Sequence, residues 1–232
     1  MTPARDRLIV ALDVSSAAQA RKIVASLGDS IDFYKVGLQL YTAEGPSVVR
    51  DLVGSGRRVF LDLKYHDIPN TVASAVREAG KLGVSLLTVH TSGGTKMLRA
   101  ATDAAKESNS AMKVVAVTVL TSMDEEDLNS VGVPGSVEEQ VVSLAALAMK
   151  AGCHGVVSSA REVRALRARL GNDFLVVTPG VRPAGVAHGD QARVVTPAEA
   201  IAAGASHIVV GRPITAAPSP ALEAEKILQE IS

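Results

Sequence analysis

Eight times along the chain a short β-branched run gives way to an Ala-rich amphipathic segment. The runs lie at 8–13, 33–36, 58–64, 85–90, 113–118, 155–158, 174–178 and 207–211. The segments that follow lie at 16–27, 45–54, 70–82, 95–107, 136–151, 160–170, 196–203 and 221–231. This alternation is the pattern of βα units on a parallel sheet. Eight units in 232 residues give about 29 residues each, near the ~30 of one βα unit. The expected fold is α/β: a single-domain (β/α)8 TIM barrel over residues 1–232, since no Ser/Gly-rich or single-charge block divides the chain. Counting units does not prove closure, so an open doubly wound sheet stands as the alternative. Ser15 or Ser16 is placed to cap the first long helix, and Pro197 follows Thr196 at a first helical position. Gly28, Gly54, Gly83, Gly152 and Gly204 fall near helix ends.

Polar residues at strand ends point to function. Asp13 ends the first run, Lys35 lies inside the second, and Asp62 and Lys64 end the third, with Asp67 close behind. Residues two apart on a strand share a face, so Asp62 and Lys64 are expected to point the same way. In a barrel the three strand ends converge on one mouth. There the five charges form a cluster of alternating sign, which meets the need of buried charges for partners. Solvated strand-end charges or ordinary salt bridges are the bland alternative.

Two connections are long. The stretch 122–135 carries the acidic run Asp124, Glu125, Glu126 and Asp127, expected as a solvated loop or helix-start face. The stretch 180–195 is punctuated by Gly180, Pro183, Gly185 and Gly189 and reads as a lid. Gly180 and Arg182 follow the seventh run, and Gly211 and Arg212 follow the eighth. Barrel enzymes often hold phosphate there: glycine lets backbone amides approach the anion, and arginine supplies a forked donor.

Composition narrows the partners. The 24 Lys+Arg balance 24 Asp+Glu, aromatics are 3% and there is no Trp. A nucleic-acid polymer is therefore not an expected partner, for want of a basic stripe or stacking platform. No apolar run approaches the roughly 18 residues of a membrane span, and residues 1–13 lack a signal-peptide pattern, so a cytoplasmic location is expected. Cys153 is the only cysteine. It forms no intrachain disulfide and is expected to be a buried apolar residue. The five histidines show no metal-ligand spacing. His66 and His90 are placed to orient polar neighbours; His154, His188 and His207 are expected to be surface or structural.

Six stretches carry a resemblance: Ala11-Leu12-Asp13, Tyr34-Lys35-Val36-Gly37, Phe60-Leu61-Asp62-Leu63-Lys64-Tyr65-His66-Asp67-Ile68-Pro69-Asn70-Thr71, Val117-Thr118-Val119-Leu120-Thr121-Ser122, Thr178-Pro179-Gly180-Val181-Arg182 and Val210-Gly211-Arg212-Pro213-Ile214. In this order they resemble the orotidine 5′-monophosphate decarboxylase family over essentially the whole chain. The resemblance implies a barrel acting as a homodimer. It implies conversion of orotidine 5′-monophosphate (OMP) to UMP and CO2 in pyrimidine biosynthesis, with no metal or organic cofactor. Lys64 is then the proton donor to C6, and Asp62 lies beside the departing carboxylate. Lys35 and Asp13 meet the ribose hydroxyls, and Thr121 and Ser122 meet the pyrimidine edge. Arg182, Gln191, Gly211 and Arg212 hold the phosphate. Asp67, Ile68 and Thr71 enter the neighbouring subunit's site. Metal-dependent sugar-phosphate lyases resembling this family place an acidic Mg²⁺ ligand where this chain has Lys35. A protonated lysine is no cation ligand. A noncatalytic phosphate-binding barrel is the reading from another class, and it would dispense with the charge cluster.

Overall fold

The computed structural model describes residues 3–183 and 195–232. Eight parallel strands close into a barrel in chain order: β1 (Leu8–Ala11), β2 (Phe33–Gly37), β3 (Arg58–Tyr65), β4 (Leu86–His90), β5 (Lys113–Val117), β6 (Gly155–Val157), β7 (Leu175–Thr178) and β8 (His207–Val210). The ring is sealed where β1 pairs β8, with Leu8, Ile9 and Val10 opposite Ile208, Val209 and Val210. The open sheet is thereby excluded.

Strand alternation sorts the side chains into two cores. Ile9, Phe33, Phe60, Leu86, Val115, Val177 and Val209 fill the barrel interior. Their neighbours Leu8, Val10, Tyr34, Val36, Val59, Leu61, Val114 and Ile208 face the surrounding helices. Continued toward the strand ends, the inward positions change character. Phe33 is followed by Lys35 and then Gly37, Phe60 by Asp62, and Leu86 by Thr88. The same pleat that builds an apolar floor thus delivers polar groups to the mouth.

The helices follow the expected segments with four differences. The 45–54 segment is preceded by a separate helix, Leu38–Glu44. That helix ends at Gly45, whose φ of 64° is left-handed, and Pro46 opens the way to Ser47–Gly54. The 160–170 segment is helical only over Val163–Leu170. The 122–135 connection is not a bare loop. It holds a short helix, Glu125–Ser130, started by a reciprocal cap between Asp124 and Asp127. Short helices at Ala4–Arg7 and Arg212–Thr215 flank β1 and β8. Ser16 caps the first long helix through the Gln19 N–H, and Thr196 with Glu199 caps the helix beginning at Pro197.

The floor of the barrel explains two residues. His207 stands edge-on to Phe33 at 5.8 Å, and Arg58 lies 4.7 Å over the same ring, held by Asp6 and Asp32 at 2.8 Å each. Burial, then Arg58, Lys113 and Arg7, push the His207 imidazole down to about 4 from 6.5, with Asp6 opposing. In the unfolded chain His207 takes a proton below pH 6.5, whereas in the fold it stays neutral until about pH 4. The unfolded state therefore binds more protons across that window, and stability falls as pH drops through it. His207 alone is expected to remove about 3 kcal/mol between pH 6.5 and 4. Urea unfolding of wild type and His207→Gln at both pH values checks this. An equal pH loss in the two proteins would free His207 of the role. Burial also pushes the Cys153 thiol up to about 12, as suits an inert core residue.

Candidate active site

Four of the five expected charges meet at the strand ends. Lys35 Nζ lies 2.8 Å from Asp13 Oδ1 and 3.7 Å from Asp62 Oδ2. Lys64 Nζ lies 3.1 and 3.0 Å from the two Asp62 oxygens. Two ammonium groups and two carboxylates alternate. The Lys35 and Asp62 side chains are only 11% and 13% exposed, against 52% for Asp13. Such burial is tolerable because each charge has an opposite neighbour. Lys35, Asp13, Asp62 and Lys64 all border one cavity of about 450 Å³.

The third strand reaches this arrangement by an irregularity. Leu61 pairs Leu87, but the next pairing joins Tyr65 to Val89, so β3 uses more residues than β4. Lys64 absorbs the difference at φ 51°, the one positive φ among the described non-glycine residues. Left-handed backbone costs a residue with a Cβ about 1–2 kcal/mol. Strain of this kind collects at functional sites. The Lys64 amide donates to Thr88 Oγ1 at 2.9 Å, and that hydroxyl donates to Asp62 Oδ1 at 3.0 Å. Behind them the His66 and His90 rings stack at 5.3 Å, and Ser92 Oγ lies 2.7 Å from His90 Nδ1. Burial first, then His66 and Lys64, hold His90 below its usual range.

The same cavity is also lined by the segments expected to hold an anion. Pro179, Gly180, Val181 and Arg182 come from beyond β7, and Gly211, Arg212, Pro213 and Thr215 from beyond β8. Gly180 turns the first of these with φ 74°. Val181 bridges Val195, and the Arg182 amide donates to the Val195 carbonyl at 3.1 Å. Both flanks of the 184–194 stretch are thus tied together at the cavity mouth. Gln191, His188 and the rest of the 184–194 part of the expected lid fall outside the described residues.

Thr121 borders the cavity; Ser122 is exposed and does not. Asp67, Ile68 and Thr71 are exposed and border no part of their own chain's cavity. Asp67 Oδ1 instead accepts the Ile68 N–H at 2.6 Å.

A family model described as orotidine 5′-phosphate decarboxylase / HUMPS family matches residues 6–227. The chain belongs to this family. A relative from Moorella thermoacetica named orotidine 5′-phosphate decarboxylase is 53% identical, covering 98% of this chain and 93% of its own. One of the same name from Geobacter sulfurreducens is 52% identical over 98% and 97%. A crystal structure of orotidine 5′-phosphate decarboxylase from Lactobacillus acidophilus superposes with a TM-score of 0.88 at 42% identity. It covers 98% of this chain and all of that one.

Two residues escaped the sequence reading. Thr88 looks like any β-branched strand residue, and its only signal was its inward position two beyond Leu86. Gln39, another cavity neighbour, lies on a helix that was not foreseen. In the sequence Gly37 is only part of a motif, and the structure gives it a reason. A Cβ there meets Lys35 Nζ at 2.7 Å and Asp13 Oδ1 at 3.0 Å. Its φ of –100° suits any residue, so the conflict is with the charge pair and not with the backbone. Gly37→Ala is expected to fold with stability changed by less than about 1 kcal/mol. Its kcat/KM should drop about 10–100-fold as the pair is pushed aside. Thermal melts and steady-state rates check both halves, and unimpaired turnover would clear Gly37 of this steric role.

Proposed function

We infer that the chain decarboxylates orotidine 5′-monophosphate to UMP and CO2, with no metal or organic cofactor, as one catalytic unit spanning residues 1–232. The single observation that carries the reading is one cavity lined by both the Asp13–Lys35–Asp62–Lys64 array and the glycine–arginine segments beyond β7 and β8. That combination suits a substrate that carries both a reacting ring and a phosphate.

Breaking the bond from C6 to the carboxylate leaves its electron pair on C6, where the ring delocalises it poorly. Lys64 meets this need twice. Its ammonium stabilises the developing charge, and an Nζ proton then goes to C6, leaving the amine neutral. Asp62 keeps that ammonium in place through both carboxylate oxygens. A substrate carboxylate beside Asp62 adds a second anion. At about 4 Å and an effective dielectric near 20 the pair repels by about 4 kcal/mol, which departure of neutral CO2 relieves. Lys35 and Asp13 hold the ribose hydroxyls, and Thr121 and Ser122 the pyrimidine edge. Arg182, Gly211 and Arg212, with Gln191, hold the phosphate, whose binding energy is spent at the distant C6. In a homodimer, Asp67, Ile68 and Thr71 complete the partner's site. No described helix is long and apolar enough to cross a membrane, in keeping with a cytoplasmic enzyme that takes a small nucleotide.

The Asp13 carboxylate is engaged by the Lys35 ammonium at 2.8 Å. The metal-dependent sugar-phosphate lyases would need an acid in place of that lysine. The deciding experiment adds OMP to purified protein with excess chelator and follows loss of its ultraviolet absorbance. Rapid UMP formation is expected. A folded sample without turnover would overturn the reading and lead next to phosphorylated sugars with Mg²⁺.

A further inference from the structure

A hydroxyl has one proton to give and two lone pairs to receive with. At Thr88 both capacities are used on the reacting strand. The Lys64 amide can only donate, so Thr88 Oγ1 must accept it at 2.9 Å. The Asp62 carboxylate can only accept when ionised, so the Thr88 proton must go to Oδ1 at 3.0 Å. The directions of both bonds are fixed by chemistry and leave no alternative arrangement. Thr88 is fully buried on β4 and does not border the cavity. As a β-branched residue it has few χ1 choices, so the hydroxyl is held where it is needed.

The two groups it joins are the ones whose relation matters. Lys64 Nζ is placed almost equally from both Asp62 oxygens. That geometry depends on the left-handed backbone at Lys64, where β3 slips against β4. Without a partner for its amide, a lysine backbone favours return to the extended region. The ammonium would shift with it, and the carboxylate would lose its second anchor.

We propose that Thr88 is a positioning residue for decarboxylation, its hydroxyl clamping the strained Lys64 backbone to the Asp62 carboxylate from the neighbouring strand. The inference rests on the reading of Lys64 and Asp62 given above. It adds a residue that touches no substrate and acts through the two that do.

The test compares Thr88→Val, which keeps the branched shape without the hydroxyl, with Thr88→Ser, which keeps the hydroxyl without the methyl. Rates are taken per folded protein, with the folded fraction measured by far-ultraviolet circular dichroism. Thr88→Val is expected to lower kcat about 10²-fold, the scale of a misplacement near 1 Å. KM for OMP should stay within about threefold, because ribose and phosphate contacts are untouched. Thr88→Ser should keep kcat within about fivefold of wild type. Thr88→Cys, a weaker hydrogen-bonding group of similar size, should fall between the two, and it stands in should the valine variant be insoluble.

A merely structural role predicts otherwise: the loss of activity is accounted for by the folded fraction alone, leaving kcat and KM per folded protein unchanged, or serine is as impaired as valine. Either result overturns the proposal, as does full turnover by Thr88→Val. Lys64→Ala in the same assay separates the levels. An inactive Lys64→Ala beside a fully active Thr88→Val sinks the clamp alone. An active Lys64→Ala sinks the reading of Lys64 on which the clamp depends.

Discussion

Lys64→Ala lowers kcat by at least about 10⁴-fold while the barrel still folds. General-acid groups typically contribute about 10²–10⁴, and a preorganised charge at a developing anion about 10²–10³. In the proposed mechanism Lys64 supplies both, and effects of groups acting as a unit do not simply multiply, so the lower bound is the safer number. The fold survives because the lysine is at the mouth and 30% exposed, outside the apolar interior. Asp62 also keeps Thr88 at 3.0 Å and Lys35 at 3.7 Å once Lys64 is gone. KM should change far less than kcat, since the proposed phosphate contacts follow β7 and β8, which do not neighbour β3 in the barrel. Progress curves with OMP at enzyme concentrations high enough to see slow turnover measure the loss. A variant within tenfold of wild type would remove Lys64 from the proton-transfer role.

The barrel was legible because its physics is local and repeated. Each strand is a short β-branched run, each helix carries an apolar stripe, and eight such units close in register. The charge cluster was legible for a related reason. Asp13, Lys35, Asp62 and Lys64 interrupt apolar runs where a core strand tolerates no unpaired charge. What escaped is what depends on neighbours. The break between Glu44 and Ser47 comes from Gly45 and Pro46 acting on a helix already begun at Leu38. The two-apart rule placed Asp62 and Lys64 on one side, but it assumed a regular strand. The slip between Leu61 and Tyr65 exists only against β4, and Thr88 gains its meaning only from that slip. Helix Glu125–Ser130 answers to the helix-start alternative for the acidic run, and the Asp124 and Asp127 spacing that starts it is readable as a cap. The roles of Asp67, Ile68 and Thr71 rested on resemblance alone.

Those three residues lead to the second large effect. In its own chain Asp67 is exposed and bonded only to the Ile68 amide among its described hydrogen bonds. Ile68, at the start of a long helix, is 65% exposed. A twofold dimer presents the same residues from both subunits. If Asp67 completes the partner's site, Asp67→Ala and Lys64→Ala homodimers are each nearly inactive, yet their hybrid is not. In the hybrid, the Asp67→Ala subunit keeps its own Lys64 and receives Asp67 from the Lys64→Ala subunit. The other site lacks both. Equal amounts with random exchange make half the dimers hybrid, so about a quarter of all sites are restored. Differently tagged subunits, resolved by native mass spectrometry, report the exchange, and OMP turnover reports the sites. Recovery near that fraction is the expected result and ties the charge array to a partner carboxylate. Complete exchange with no recovery places Asp67 outside the shared site, and the site of each subunit then has to be built from its own chain alone.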